Sequence, residues 1–403
     1  MHIGLFSPSW PPAGSANGIV SYVSAVREQF LSLGHDVSVI SHDRLHLGDG
    51  REIPIDAPRG PLDTLLTRIG RRVDRWQGDL PGVGRSVVAR VAAVQRVAPI
   101  DILEMEESFG WCNTVQRATG VPVVTRLHGP FFLKPDRPRT VRERYAHRGR
   151  CRAEGRAVRA ASALTAPTRA MMDVTCAEYD RPSAALNAVI PNPIAVAPER
   201  ARWRLDACDR NHILMVGRFD YWKGADTMLL AFEKLLERRP SARLTLVGPD
   251  MGIETAPGHS IDFAGFAQSN LSPLARERIT FTGKLLPTEI ARLRKDAYVT
   301  VMASRGENFP YALLEGFAAA SPMISTRWPG SEEIILDGRT GLLTPIGEPD
   351  ALAHLLDRIL GDPDLASRIA QGGMQRCREH FSVQAVATQL LDFYGAVRQR
   401  GAK

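Results

Sequence analysis

Apolar and polar positions follow one another along this chain in two rhythms, and the switches between them outline a repeating order of strands and helices. A short apolar run, Ile3 to Phe6, leads into a loop rich in Pro and Gly. Beyond it Ile19, Tyr22, Val23, Val26, Phe30 and Leu33 recur every three or four residues. That spacing draws one apolar stripe along a helix, Gly34 sits where the helix would end, and Val37 to Ile40 reads as the next strand. Further strands are predicted at Ile100 to Leu103, Val121 to Leu127 and Ala163 to Ala166, separated by helical or loop-like stretches. A βαβ alternation of this kind calls for a parallel sheet covered on both faces.

Residues 181–210 are rich in proline and carry no long periodic run, which places a linker there. The alternation then restarts. Ile213 to Val216 is a strand, Asp226 to Arg239 a helix with Leu229, Phe232, Leu235 and Leu236 on one face, and Leu244 to Val247 a strand. Ile279 to Thr282, Val299 to Met302 and Pro322 to Ser325 are the next strand candidates. The fold class is therefore α/β with two Rossmann-like domains, residues 1–190 and 205–380. Open sheets of this type bind ligands at the carboxyl ends of their strands, so two facing sheets predict an interdomain cleft as the active site.

Composition supports this picture. The 403 residues are 44% hydrophobic and 24% charged, as in a soluble globular protein. The opening MHIGLFSPSWPP has neither a basic leader nor a long apolar run, which predicts no signal peptide or anchor, and no later stretch is apolar enough to span a bilayer. Five scattered cysteines, at 112, 151, 176, 208 and 377, form no CxxC pair; reduced cytoplasm is the simple expectation.

The net charge of +7 is local. Between residues 134 and 160, ten basic side chains (Lys134 and nine arginines) stand against Asp136, Glu143 and Glu154, a difference of seven that equals the whole imbalance. Such a patch is either a solvated helix face laced with ion pairs or a contact for an anionic partner such as acidic lipid headgroups or a phosphorylated acceptor. Nucleic acid fits less well, because Tyr145 is the sole aromatic residue there to stack on bases.

The stretch GENFPYALLEGFAAASP, residues 306–322, follows the strand ending near Met302. Pro310 suits the first turn of a helix, so Glu307 falls in the loop before it and Glu315 on the helix, opposite the stripe Leu313, Leu314 and Phe317 and among small neighbours. The free N–H groups at this helix start would face a phosphate, with the loop carboxylate accepting sugar hydroxyls and the helical one ribose hydroxyls. Taken alone, two glutamates eight apart read by default as incidental surface charges, a reading that their place after a strand in a second Rossmann-like domain weakens. MVGRFDYWKGAD, residues 215–226, puts Arg218 and Lys223 at the top of a strand, where two cations suit a diphosphate that gains charge as it departs. The first loop, SPSWPPAGSANGIV, opens its helix at Asn17 or Gly18, as a ligand approach or a simple tight turn. His128 ends a strand in TRLHGPFF, a position more often structural than catalytic.

In combination, the order VGRFDYWKG, FTGKL, ENFPYALLE and PGSEEIILDGRTGLL between residues 213 and 345 resembles the retaining family-4 glycosyltransferases of GT-B fold, also described as glycosyl transferases group 1, over nearly the whole chain. The resemblance implies that Arg218, Lys223 and Gly18 bind the donor diphosphate. It further implies that Glu307 and the backbone of Asn308, Phe309 and Pro310 hold the donor sugar, Glu315 the ribose, and the loop at Lys284 and Leu285 the base. By the same resemblance His128 lies beside the anomeric carbon, the first domain binds acceptor, and a C-terminal helix, about 382–403, packs back on that domain. Asn17, Ala320 and Pro329 stand where the family commonly has glycine.

The expected reaction is transfer of a hexose-type sugar from a nucleotide diphosphate donor to an acceptor hydroxyl, with retention, without metal and without a cofactor. The acceptor is a carbohydrate, a lipid-linked intermediate or a small metabolite. Asp362 and Asp364, the sole Asp-x-Asp, read as a helix cap and not a metal site. GVG at 82–84 does not follow a predicted strand and lacks the third glycine of a dinucleotide fingerprint. The rival readings are a nucleotide-sugar epimerase, a phosphorolytic enzyme, and a nucleotide-sugar binding protein without chemistry.

Overall fold

The structure is a computed structural model that describes residues 1–12, 17–41, 44–54, 81–134, 138, 140–182, 184–256 and 259–401. Two compact units result: Met1–Pro193 with Val383–Lys403, and Ile194–Ser382. Of the basic segment, Asp136, Arg137 and Arg139 lie outside the described residues.

In the first unit, eight strands form one sheet: β1 (His2–Phe6), β2 (Asp36–Ile40), β3 (Arg44–His46), β4 (Glu52–Pro54), β5 (Ile102–Glu106), β6 (Val123–Arg126), β7 (Ala163–Ala166) and β8 (Leu186–Val189). Their order is β4-β3-β2-β1-β5-β6-β7-β8. The expectation of a purely parallel sheet is corrected at one edge, where β3 and β4 run antiparallel. The linker expected at 181–210 is also corrected, because it contains β8, paired along β7, and the boundary between the units falls at Pro193. β8 escaped notice because all four of its residues are only half-buried, as on an edge strand, so no alternation marks it.

Helices α1 (Gly18–Ser32), α2 (Pro81–Val97), α3 (Trp111–Thr119), α4 (Val141–Ala160) and α5 (Arg169–Glu178) accompany this sheet. Alternation along the strands sends Ile3, Leu5, Val37 and Val39 into one core with α1, while Phe6, Ile40, Leu103 and Met105 join another with α2 and α3. Asn17, at a position where the family commonly has glycine, is extended (φ −97°), and its side chain caps α1 by accepting the Ile19 N–H at 2.9 Å.

The C-terminal helix, Val383–Gly401, belongs to this unit and buries Val386, Leu390, Phe393 and Tyr394 against β1, β2 and α1. The Tyr394 hydroxyl donates to Glu104 Oε2 at 2.8 Å where both side chains are buried. Burial raises the Glu104 pKa, an effect opposed by the Arg126 guanidinium and by the hydroxyls of Tyr394 and Tyr22. Tyr394→Phe is expected to destabilise this unit by about 1–3 kcal/mol, the cost of leaving a buried polar group without a partner. An unchanged melting transition would refute that importance.

The second unit holds β9 (Asp209–Val216), β10 (Phe219–Asp220), β11 (Arg243–Val247), β12 (Asp250–Ala256), β13 (His259–Ile261), β14 (Ile279–Phe281), β15 (Ala297–Met302), β16 (Met323–Thr326) and β17 (Leu342–Thr344). Six of them make a parallel sheet in the order β14-β11-β9-β15-β16-β17, and β10-β12-β13 form a small second sheet. The helices that matter for the site are α6 (Ala225–Leu236), α7 (Pro287–Asp296), α8 (Tyr311–Ala318) and α9 (Pro363–Arg376). The predicted stripes hold: Leu229, Phe232, Leu235 and Leu236 of α6 and Leu313, Leu314 and Phe317 of α8 are all buried. The helix expected over Asp226–Arg239 stops at Leu236.

Candidate functional site

The strand order locates the site before any side chain is considered. In the second unit the chain leaves β9 toward β11 on one side and returns through β15 on the other, so β9 and β15 flank the point where the winding reverses. Ligands of open α/β sheets sit outside the carboxyl ends of such a pair. Two segments emerge there, 217–224 after β9 and 303–310 after β15, and they carry Arg218, Lys223 and Glu307.

Backbone geometry lets these segments touch. Gly224 has φ +67°, and a Cβ on it would lie 1.9 Å from the Ala303 carbonyl oxygen. Gly248, at the end of β11, would meet the Gly217 carbonyl oxygen at 2.0 Å. Glycine at these two positions is what allows the loops to press against one another. The Arg305 N–H donates to the Trp222 carbonyl at 2.8 Å, sewing the two segments together.

On this frame Lys223 Nζ reaches Glu307 Oε1 at 2.5 Å, and Ser304 Oγ donates to the same oxygen at 2.7 Å. Asp220 organises the cations from below: one carboxylate oxygen pairs with Arg218 Nε at 2.8 Å, the other accepts the Lys223 N–H at 2.7 Å. Arg218 is half exposed, whereas Asp220 and Glu307 are largely covered. Beside them Arg305 grips Asp226 with two bonds of 2.7 Å and stacks 3.9 Å from the Tyr221 ring centroid. A fork-to-carboxylate pair of this type fixes geometry as well as charge. Thr326 Oγ1 donates to the Ser304 carbonyl and so ties β16 into the same cluster.

Asn308 is exposed, while Phe309 and Pro310 are buried, with Phe309 edge-on to Phe381. The Phe309 side chain anchors this loop against Phe381. Pro310, expected within the first turn of the helix, occupies its N-cap instead, with extended backbone (ψ 120°). Glu315 lies on the exposed side of α8, and Arg294 of α7, almost fully buried, pairs with its Oε2 at 2.6 Å. Lys284 is exposed, and Leu285 rests partly on Leu214 and Val247; the Gly248 N–H donates to the Gly283 carbonyl at 2.9 Å, which holds that loop to the end of β11. Ala320, at a family glycine position, takes φ +53°, a left-handed backbone that costs alanine about 1 kcal/mol.

His128 lies in the first unit, two residues beyond β6. Its backbone N–H and that of Gly129 donate to the two oxygens of Glu107, at 3.0 and 2.8 Å, and its ring meets Tyr22 edge-on at 5.2 Å. Burial, and then the Arg126 charge, hold the imidazole well below its usual pKa, so it is neutral at physiological pH. Glu107 is itself pushed up to about 8, first by burial and then by Glu154. With Glu106 and Arg126, His128 lines a narrow crevice beside the ends of β1 and β5, the winding reversal of this sheet. Gly18 is the first residue of α1, at the exposed end of that helix.

The structure thus brings Arg218, Lys223 and Glu307 into one cluster, with Glu315, Lys284 and Leu285 on loops and helices of the same unit, and sets Gly18 and His128 in the other. Sequence reasoning missed Asp220, Asp226, Ser304 and Arg305 in the second unit and Glu107 in the first. Asp220 and Asp226 fall inside the MVGRFDYWKGAD stretch, and an acid between the two cations, with a second three residues beyond Lys223, was a usable signal. Asp362 caps α9 by accepting the Leu365 N–H at 2.8 Å, and GVG at 82–84 lies within α2. Among the described residues, no group of three or more His, Cys, Asp or Glu side chains is disposed to hold a metal ion.

Comparison with known proteins matches both halves. Residues 16–197 match the family described as Glycosyltransferase Family 4, and residues 199–376 match Glycosyl transferases group 1. A D-inositol 3-phosphate glycosyltransferase of Frankia alni is 27% identical over 402 residues, 95% of each chain. Sucrose-phosphate synthase from Thermosynechococcus elongatus superposes with a TM-score of 0.74 at 20% identity over 99% of each chain. Anabaena HepE, solved in complex with UDP-glucose, does so with a TM-score of 0.67 at 16% identity over 98% of this chain and all of its own. These likenesses show two Rossmann-like domains of GT-B type.

Proposed function

Because this chain belongs to the family-4 glycosyltransferases, with both halves of that family present in order, we propose that it moves a hexose-type sugar from a nucleotide diphosphate to an acceptor hydroxyl, with retention of configuration and without metal. The observation that carries this reading is the meeting of Lys223, Glu307 and Ser304 at the winding reversal of the second sheet, with Arg218 held beside them by Asp220. Lys223 and Arg218 are assigned to the donor diphosphate, Glu307 and the backbone of Asn308, Phe309 and Pro310 to the sugar, Glu315 to the ribose, and Lys284 with Leu285 to the base. Gly18 is assigned to the diphosphate and His128 to the anomeric carbon. The first unit then supplies acceptor binding.

The chemistry follows from charge. As the glycosidic bond of the donor breaks, negative charge accumulates on the departing diphosphate, and fixed cations stabilise it more in the transition state than before it. The departing oxygen takes the acceptor proton on the same face of the sugar, which retains configuration without a side-chain nucleophile. A neutral His128 suits a site beside developing positive charge at carbon, where an imidazolium would repel it. Anabaena HepE, solved with UDP-glucose, supports a nucleotide-sugar donor of this kind. Five unpaired cysteines support a reducing, cytoplasmic setting.

The test has two steps. A panel of UDP, GDP, ADP and dTDP sugars is screened for the one that raises the melting temperature most, since a ligand of the native state stabilises it. That donor is then offered with candidate acceptors in EDTA, and product configuration is read by NMR. Transfer with retained configuration, indifferent to EDTA, is expected. Inversion, or activity restored by manganese after EDTA, would overturn the mechanism. Conversion of the donor without acceptor would mark an epimerase, consumption of free phosphate a phosphorolytic enzyme.

A further inference from the structure

The charge imbalance of the chain has a single address on the first unit, and the structure resolves which way it faces. Helix α4 (Val141–Ala160) is closed at its start by a capping box between Thr140 and Glu143 and buries Ala153, Glu154, Gly155, Ala157 and Val158. At about 100° per residue, Val141, Tyr145, Arg148, Arg152, Arg156 and Arg159 fall within an arc of roughly 80° on the opposite side. All six are exposed. Within α4 itself no acidic residue shares that arc: Glu154 is buried and paired with Arg150, and Glu143 is turned back into the cap.

The stripe is graded along its length. Its amino end is apolar, with Val141 75% and Tyr145 51% exposed, and its remainder is arginine. Over the ~27 Å from Val141 to Arg159 it therefore offers guanidinium groups for phosphates together with an aromatic and an aliphatic side chain for the boundary with acyl chains. That combination distinguishes a membrane surface from a polyanion in water, which needs the charge but not the apolar end. Nucleic acid is disfavoured further because a single ring, Tyr145, stands on the stripe, with no second platform for bases. No described helix is long and apolar enough to cross a bilayer, so contact would be along the surface.

We propose that the exposed arginine stripe of α4 docks this protein on anionic phospholipid membranes, with Val141 and Tyr145 entering the headgroup boundary. The proposal rests on the charge and exposure of one helix and does not depend on the transferase reading.

Flotation with vesicles tests it. The full chain is mixed with vesicles of phosphatidylcholine alone or with 30% phosphatidylglycerol, at about 50 and about 300 mM NaCl, where the screening length shortens about 2.5-fold. Binding is expected to the phosphatidylglycerol vesicles at low salt, falling steeply at high salt. Each arginine near an anionic surface contributes about fivefold in partition, so Arg148→Glu with Arg152→Glu should lower it by roughly 25-fold or more. Arg292→Glu with Arg368→Glu, exposed positions on the second unit with the same change of net charge, should lower it far less. Equal loss in both double variants, or equal binding to both vesicle types, would overturn the proposal. So would single-stranded DNA competing vesicles off at stoichiometric amounts. A melting temperature within 2 °C of the parent for the Arg148/Arg152 variant establishes that lost binding is not lost folding.

Discussion

Replacing Glu307 by alanine is expected to lower kcat by about 10²- to 10³-fold, the range seen when one preorganised polar group is removed from a reacting centre, with little change in melting temperature. Glu307 Oε1 receives both Lys223 Nζ and Ser304 Oγ, so its loss frees the ammonium to wander and leaves a hydroxyl without its acceptor. The ion pair itself adds little stability, because Lys223 is partly exposed and such pairs are worth about 1 kcal/mol or less. Function and stability are therefore separable at this position. Glu307→Gln keeps an acceptor for Ser304 while losing the charge opposite Lys223, and its rate should fall between those of the parent and the alanine variant. Steady-state kinetics with the best donor decide the matter. A kcat near the parent value in Glu307→Ala would remove the sugar-gripping role and with it the central claim about this site.

How much of this was legible in the sequence varies with the kind of information required. Strands such as Ala163–Ala166 and helices such as α6 announce themselves through local periodicity, which depends on residues within two turns of one another. β3 and β4 have three residues each, too few for a period to show, and their antiparallel course is set by pairing with β2, which no local pattern encodes. The linker was misjudged for a related reason: prolines mark the ends of β8 but not its existence. The pairing of Lys223 with Glu307 spans 84 positions. It became predictable only through the family resemblance, since periodicity alone places the two residues on separate loops. Asp220, by contrast, lay in plain view two residues from Arg218, and its double grip on Arg218 and the Lys223 backbone is a turn-level device that the sequence could have suggested. Ala320 carries a different lesson. Alanine takes a left-handed backbone there inside the turn that closes α8, where its N–H donates to the Phe317 carbonyl at 3.0 Å and the Ser321 N–H to the Gly316 carbonyl at 2.9 Å.

Gly224→Ala is expected to damage stability and catalysis together, and the comparison with a second glycine shows why. Gly224 and Gly338 have nearly the same backbone, φ +67° and +72°. A methyl group on Gly338 would meet nothing within 4 Å, whereas on Gly224 it would come within 1.9 Å of the Ala303 carbonyl oxygen and 2.7 Å of its carbon. Gly338→Ala therefore reports the conformational penalty alone, about 1 kcal/mol. Gly224→Ala adds overpacking against backbone that cannot rotate away, typically another 1–3 kcal/mol, for a total of about 2–4 kcal/mol. The clash resolves by parting the 217–224 loop from the segment after β15, which is the contact that sets Lys223 against Glu307. A displacement near 1 Å at a reacting centre can cost roughly 100-fold in rate, so kcat should drop by about that factor in Gly224→Ala and stay near the parent value in Gly338→Ala. Thermal melts and donor-saturated rates on the two variants measure both effects. If they behave alike, the close approach of the two loops is not what shapes the site.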